Sequence, residues 1–122
     1  MKKPQLVVDF ERLKYPNCGL GVYSLNLAKE IGRHTDPRWQ TSFLLPQSEV
    51  GRFGVETRYI PVRSYLKVIR LTLPKADLWH MTHQDSQFGP KNSRTPTVLT
   101  IHDLNFLTEK ESNKAEQRLK EL

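Results

Sequence analysis

The sequence has 122 residues, a hydrophobic share of 37%, a mean hydropathy of −0.59, and a formal net charge of +6 with a pI near 9.6. That length suits one domain able to bury roughly two-thirds of its unfolded surface, and no apolar run approaches the ~20 residues of a membrane span. Cys18 is the single cysteine, which excludes an internal disulfide or a multi-cysteine metal site, and the opening Met1-Lys2-Lys3-Pro4 leads into no signal-peptide core, so a cytoplasmic protein is expected.

Short β-rich runs alternate with helix-like stretches, the pattern of a parallel α/β sheet. The first strand is expected over 5–10, and a loop through Tyr15-Pro16-Asn17 leads to a helix over 19–33. There Leu20, Tyr23, Leu27 and Ile31 are spaced for one buried face, and Thr35-Asp36-Pro37 ends the element. A second strand is expected over 39–45, then a turn-rich link over 46–54 in which Gly51 and Gly54 argue against helix. A third strand follows over 55–62. A helix over 63–73 sets Tyr65, Leu66, Ile69 and Leu73 on one side and Arg63, Lys67 and Arg70 on another.

The fourth and fifth strands are expected over 77–81 and 97–101, as apolar runs that a parallel sheet buries on both faces. The loop between them, 84–95, is polar and has the length of a functional loop. Beyond Thr108 a charged helix is expected with only Ala115, Leu119 and Leu122 as apolar positions, so the architecture reads as incomplete at the carboxyl end.

Parallel sheets bind ligands in the crevice outside the carboxyl ends of their strands, which draws attention to the strand exits. His80 and His83 follow the fourth strand and His102-Asp103 the fifth, while Cys18-Gly19-Leu20-Gly21-Val22-Tyr23 opens the first helix. Gly19 and Gly21 can bring backbone amides and the positive end of a helix dipole to a phosphate, although the segment lacks the full dinucleotide spacing. The same glycines also read as a plain helix start.

An imidazole at position 102 can bind a sugar hydroxyl or move a proton near neutral pH, and Asp103 can orient a ligand or merely cap the turn that follows. His80, His83, His102 and Asp103 have no recognised metal-ligand spacing, so no metal is expected. Cys18 reads as a partly buried thiol rather than an activated one. The net charge favours an anionic partner or a solvated basic face, and no nucleic-acid-binding module is present.

The segment Cys18 to Tyr23 resembles the glycine-rich G-G-I-G-R-Y stretch of retaining glycosyltransferases that have two Rossmann-like domains and use nucleotide-sugar donors. Ala76-Asp77-Leu78-Trp79-His80 and Pro96-Thr97-Val98-Leu99-Thr100-Ile101-His102-Asp103-Leu104 are similar to two further segments of the same amino-terminal domain, in matching order from Gln5 to about Leu107. Cys18 stands where that family has its first glycine, and Val22 where it has arginine.

The resemblance implies one acceptor-side, Rossmann-like domain over 1–122, a mostly parallel sheet flanked by helices, truncated and without the donor-binding domain. It implies Gly19 and Gly21 at the donor diphosphate, His102 and Asp103 as catalytic residues, and His80, His83 and Tyr23 lining the cleft. No cofactor is implied. The expected partners are a nucleotide-sugar donor, supplied only with the missing domain, and a glycan or lipid-linked acceptor. A membrane surface met through Arg63, Lys67 and Arg70 and a second copy of the chain are further candidates. Two other readings remain open: a non-catalytic assembly module using an unfinished sheet edge, and a small metal-dependent hydrolase built on His80, His83, His102 and Asp103.

Overall fold

The computed structural model describes residues 2–34, 36–54, 56–62 and 73–102. The helix expected over 63–73, apart from Leu73, lies outside them, as do Asp103 and the expected carboxyl-terminal helix.

Five strands form one all-parallel sheet: β1 (Gln5–Asp9), β2 (Gln40–Leu45), β3 (Arg58–Pro61), β4 (Leu78–Met81) and β5 (Thr97–Leu99), with α1 (Gly19–Arg33) between the first two. The spatial order is β3-β2-β1-β4-β5. The chain therefore builds outward from β1 in one direction and then crosses to its other side, which puts a topological switch point between β1 and β4 and makes the fold Rossmann-like.

Alternation along the strands sends neighbouring residues to opposite faces, and both faces are covered. Val7, Leu44 and Trp79 join Leu73 and Phe88 in one cluster, whereas Val8, Phe10, Phe43 and Leu45 join Leu13 and Ala28 under α1 in the other. Burial on both faces is why 41–45 and 7–10 are continuously buried rather than alternating. Phe43 meets Phe10 edge-to-face at 4.7 Å, and its complete burial stabilises the fold by about 1.5–3 kcal/mol.

The helix has the expected limits, but a different stripe faces the sheet. Its buried residues are Gly21, Ser24 and Ala28, while Leu20, Tyr23, Leu27 and Ile31 are only half-buried. Small side chains let the helix axis come close to the strands, and the larger ones then flank the contact instead of filling it. At the carboxyl end the His34 N–H closes on the carbonyls of Glu30 and Ile31.

The third strand starts later than expected. The Tyr59 hydroxyl accepts the Phe53 N–H (2.9 Å) and donates to the Gly54 carbonyl (2.7 Å), holding that stretch in a turn in which Gly51 and Gly54 have positive φ. The fifth strand ends early. After the Thr100 N–H bonds the Met81 carbonyl, the chain leaves the ladder and the His102 N–H donates to Gln84 Oε1 (3.2 Å).

Among the described residues no helix is long and apolar enough to cross a membrane.

Candidate functional site

The residues of interest gather at the switch point. Immediately after β1, residues Glu11–Lys14 make a short tight helical turn where the sequence reads as loop, and this turn packs beside the start of α1. It carries a set of polar groups that sequence reasoning left aside.

Asp9, the last residue of β1, is 1% exposed. Its Oδ1 accepts the Glu11 N–H (2.9 Å), whereas Oδ2 is buried with no hydrogen-bond partner. Burial pushes the carboxyl up to about 6, and the nearby Glu11 charge adds to this. The Glu11 amide, the Ser86 hydroxyl and Arg12 act the other way, Ser86 without satisfying Oδ2. Glu11 is buried as well: Oε1 pairs with Lys14 Nζ (3.0 Å), and Oε2 is left without a partner, as is Arg12 Nε. Three of the four buried, unpartnered side-chain polar atoms among the described residues thus come from Asp9, Glu11 and Arg12.

The exit of β4 supplies Thr82 and His83, both buried. Thr82 Oγ1 donates to the Asp9 carbonyl (2.5 Å), tying β4 to β1 where the two strands diverge. His83 Nδ1 accepts the Asp85 N–H (2.9 Å), with Arg12 Nη2 3.5 Å away on the same nitrogen. A nitrogen that accepts an amide holds no proton, so the neutral ring carries its proton on Nε2. Burial, then the Arg12 charge, push the His83 pKa below the usual histidine value.

From the exit of β5, His102 reaches back across β4. Its Nε2 lies 2.5 Å from the Thr82 carbonyl, an acceptor only, so Nε2 carries the proton and Nδ1 is left to accept. The ring stacks on His83 at 5.7 Å and 23°, and Tyr23 of α1 meets it edge-on at 4.3 Å and 79°. His83, His102 and Tyr23 are therefore brought together. His80 is not part of that stack: one residue pair back on β4, its Nε2 bonds Thr100 Oγ1 (3.0 Å), and burial lowers its pKa.

The two glycines of the helix start stand in different surroundings. A Cβ at Gly21 would fall 1.8 Å from the Tyr15 carbonyl oxygen, so this position needs glycine for packing. Gly19 faces open space. Cys18 caps the helix, its Sγ accepting the Gly21 N–H (3.4 Å) and donating to the Tyr15 carbonyl (3.3 Å). The thiol is exposed rather than partly buried, because the cap sits at the surface. With Gly21 and Val22 engaged, the amides of Gly19 and Leu20 are the free donors of the first turn.

Among the described residues no three of histidine, cysteine, aspartate and glutamate lie where they could hold a metal ion; Asp103 lies outside that set. The fold and this crevice define a parallel α/β domain of Rossmann-like architecture with a histidine-rich switch point. No family model, curated protein or solved structure matches the chain.

Proposed function

We propose that residues 1–122 form the acceptor side of a nucleotide-sugar-dependent, retaining glycosyltransferase, working in the cytoplasm on a glycan or lipid-linked acceptor. The observation that carries this reading is the meeting of the stacked His83 and His102 rings with Tyr23 of the first helix at the switch point, where such sheets bind ligands. An aromatic edge and imidazole nitrogens suit a sugar, which offers hydroxyls around an apolar ring face. The exposed first turn at Gly19 suits a diphosphate.

In this reading His102 binds rather than attacks. With Nε2 held by the Thr82 carbonyl, Nδ1 accepts a hydroxyl of the sugar or acceptor, and catalysis rests on positioning and on stabilising the leaving diphosphate. Residues 1–122 contain no two glutamates with seven residues between them, the donor-side feature that the resemblance implies, so turnover is expected only with a donor-binding domain or chain added. Titration with UDP, GDP and nucleotide sugars, read through backbone amides, tests the crevice. Shifts centred on Gly19, Leu20 and His102 support the reading, and a nucleotide that moves none of them at millimolar concentration removes the chain from donor chemistry.

A second reading, an assembly module, is favoured by β5, the edge strand among the described ones, where Val98 is 48% exposed, and by Ile101 just beyond it, 46% exposed. Size-exclusion chromatography decides it: a dimer that survives dilution supports it, and a monomer at all concentrations counts against it.

A further inference from the structure

A second concavity lies at the opposite end of the sheet. It spans the amino ends of four adjacent strands, reached through Arg58 of β3, Gln40 of β2, Gln5 of β1 and Asp77 just before β4. Its volume is about 840 Å³, and Lys2, Lys3 and Lys75 complete its polar lining.

Four cations and one carboxylate share this cleft, and the carboxylate is already committed. Asp77 Oδ2 accepts the Gln5 N–H at 2.7 Å, while the Asp77 N–H donates to the Gln5 carbonyl at 2.8 Å. The Gln40 N–H is likewise taken by the Pro4 carbonyl (2.9 Å). The strand ends are thus closed by their own backbone bonds, and the groups left to meet a ligand are side-chain ammonium and guanidinium. Among the described residues Lys14, Arg33, Arg38 and Arg52 each sit in an ion pair, whereas none of the cleft's four cations, Lys2, Lys3, Arg58 and Lys75, does; Arg12, Lys29, Lys91 and Arg94 elsewhere are also without one. Four cations without an ion pair thus line one concavity, where low-dielectric walls strengthen their field.

We propose that this cleft is a binding site, separate from the switch-point crevice, for a phosphate group bearing at least two negative charges. Cations approaching from several strands match the tetrahedral oxygens of a phosphate better than the planar pair of a carboxylate, and the guanidinium of Arg58 supplies a fork for two of them. The concavity suits a protruding phosphate, whether from a soluble oligophosphate or from a lipid headgroup. The site uses none of the groups assigned above to sugar or donor binding.

Inorganic pyrophosphate and vesicles of phosphatidylcholine with or without phosphatidic acid distinguish the two sources, using the whole chain at about 0.15 M salt, where bare surface attraction is largely screened. The comparison is between the wild type and R58E/K75E, exposed positions whose charge reversal leaves the core untouched. Saturable amide shifts at Gln5, Gln40 and Lys75 on adding pyrophosphate, weakened about tenfold or more in the variant, support the site and a soluble ligand. Sedimentation with phosphatidic acid vesicles alone, lost in the variant, supports the site and a lipid headgroup. Equal behaviour of wild type and variant, shifts confined to Gly19 and His102, or no saturable binding of either probe overturns the proposal; of these only shifts at Gly19 and His102 bear on the crevice, where they support diphosphate binding, so failure here is distinct from failure of that reading.

Discussion

The ring of His102 hangs from the backbone of Thr82. Its Nε2 donates to the Thr82 carbonyl at 2.5 Å, and the hydroxyl of the same threonine donates to the carbonyl of Asp9, also at 2.5 Å. Two hydrogen bonds therefore connect the exits of β5, β4 and β1, and the imidazole takes its position from the sheet itself. A ring held this way would lose little freedom on meeting a ligand.

Thr82→Val tests that linkage, because valine keeps the branched shape and removes only the hydroxyl. The Asp9 carbonyl then loses a partner in a buried place, so unfolding free energy should fall by about 1–3 kcal/mol in a denaturant titration. The His102 ring resonances should move as well. A variant with wild-type stability and an unmoved His102 would show that the hydroxyl holds nothing together.

Asp9 sets a pH dependence of definite sign. Below about pH 4 its carboxyl is protonated in both folded and unfolded chains; between 3.8 and about 6 the unfolded chain loses the proton while the folded chain keeps it, so stability falls as pH rises. Above about 6 the full cost persists, about 3 kcal/mol for burying the charge. Asp9→Asn retains an oxygen for the Glu11 N–H and removes the ionisation. It should be more stable than wild type by about 2 kcal/mol at pH 7.5, with the difference vanishing near pH 4. Equal stability at both pH values would mean that Asp9 is solvated in solution.

Much of this architecture was legible in the sequence, and the reason is periodicity. The runs around Val7-Val8, Phe43-Leu44 and Trp79 are buried on both faces, so they read as parallel strands without any knowledge of their partners. His83, His102 and Tyr23 stood out in the sequence as candidates because ligands bind outside strand carboxyl ends, and the structure brings their rings into contact. Asp9 was not. An aspartate closing a strand looks like any strand-to-loop transition, and only the helical turn folded over it, with Thr82 and Ser86 arriving from β4, makes it a buried carboxyl. The buried stripe of α1 was misread for a related reason: apolar spacing finds large side chains, while the close helix-to-sheet contact here selects Gly21, Ser24 and Ala28.

His83 should titrate below the ordinary histidine range. Protonating Nδ1 would displace the Asp85 N–H and set two positive charges against each other, since Arg12 lies on that side; the Asp85 carboxylate offsets this only in part. A folded-state pKa below the unfolded 6.5 means that this group's contribution is intact above pH 6.5 and declines as pH drops toward the folded value. Arg12→Gln should raise the His83 pKa without restoring 6.5, because burial is the larger cause. An imidazole titration by NMR that left His83 unmoved in Arg12→Gln would detach the guanidinium from the ring.

The two glycines of the helix start make an internally controlled pair. Gly21→Ala drives a methyl into the Tyr15 carbonyl oxygen, a backbone atom that cannot swing aside, so α1 must move away from the turn after β1. Overpacking of this kind costs about 1–3 kcal/mol or more, and the melting temperature should fall accordingly. Gly19→Ala meets nothing within 4 Å and lies in the first helical turn, where alanine is the better helix former, so stability should hold or rise by a few tenths of a kcal/mol. If a diphosphate sits on the Gly19 and Leu20 amides, the added methyl obstructs it and nucleotide affinity drops in a protein that is otherwise intact. Unchanged affinity in Gly19→Ala, with the expected loss of stability in Gly21→Ala, would assign Gly21 to packing, take the diphosphate off the helix start, and leave His102, Tyr23 and His83 as the remaining candidates for contact with a ligand.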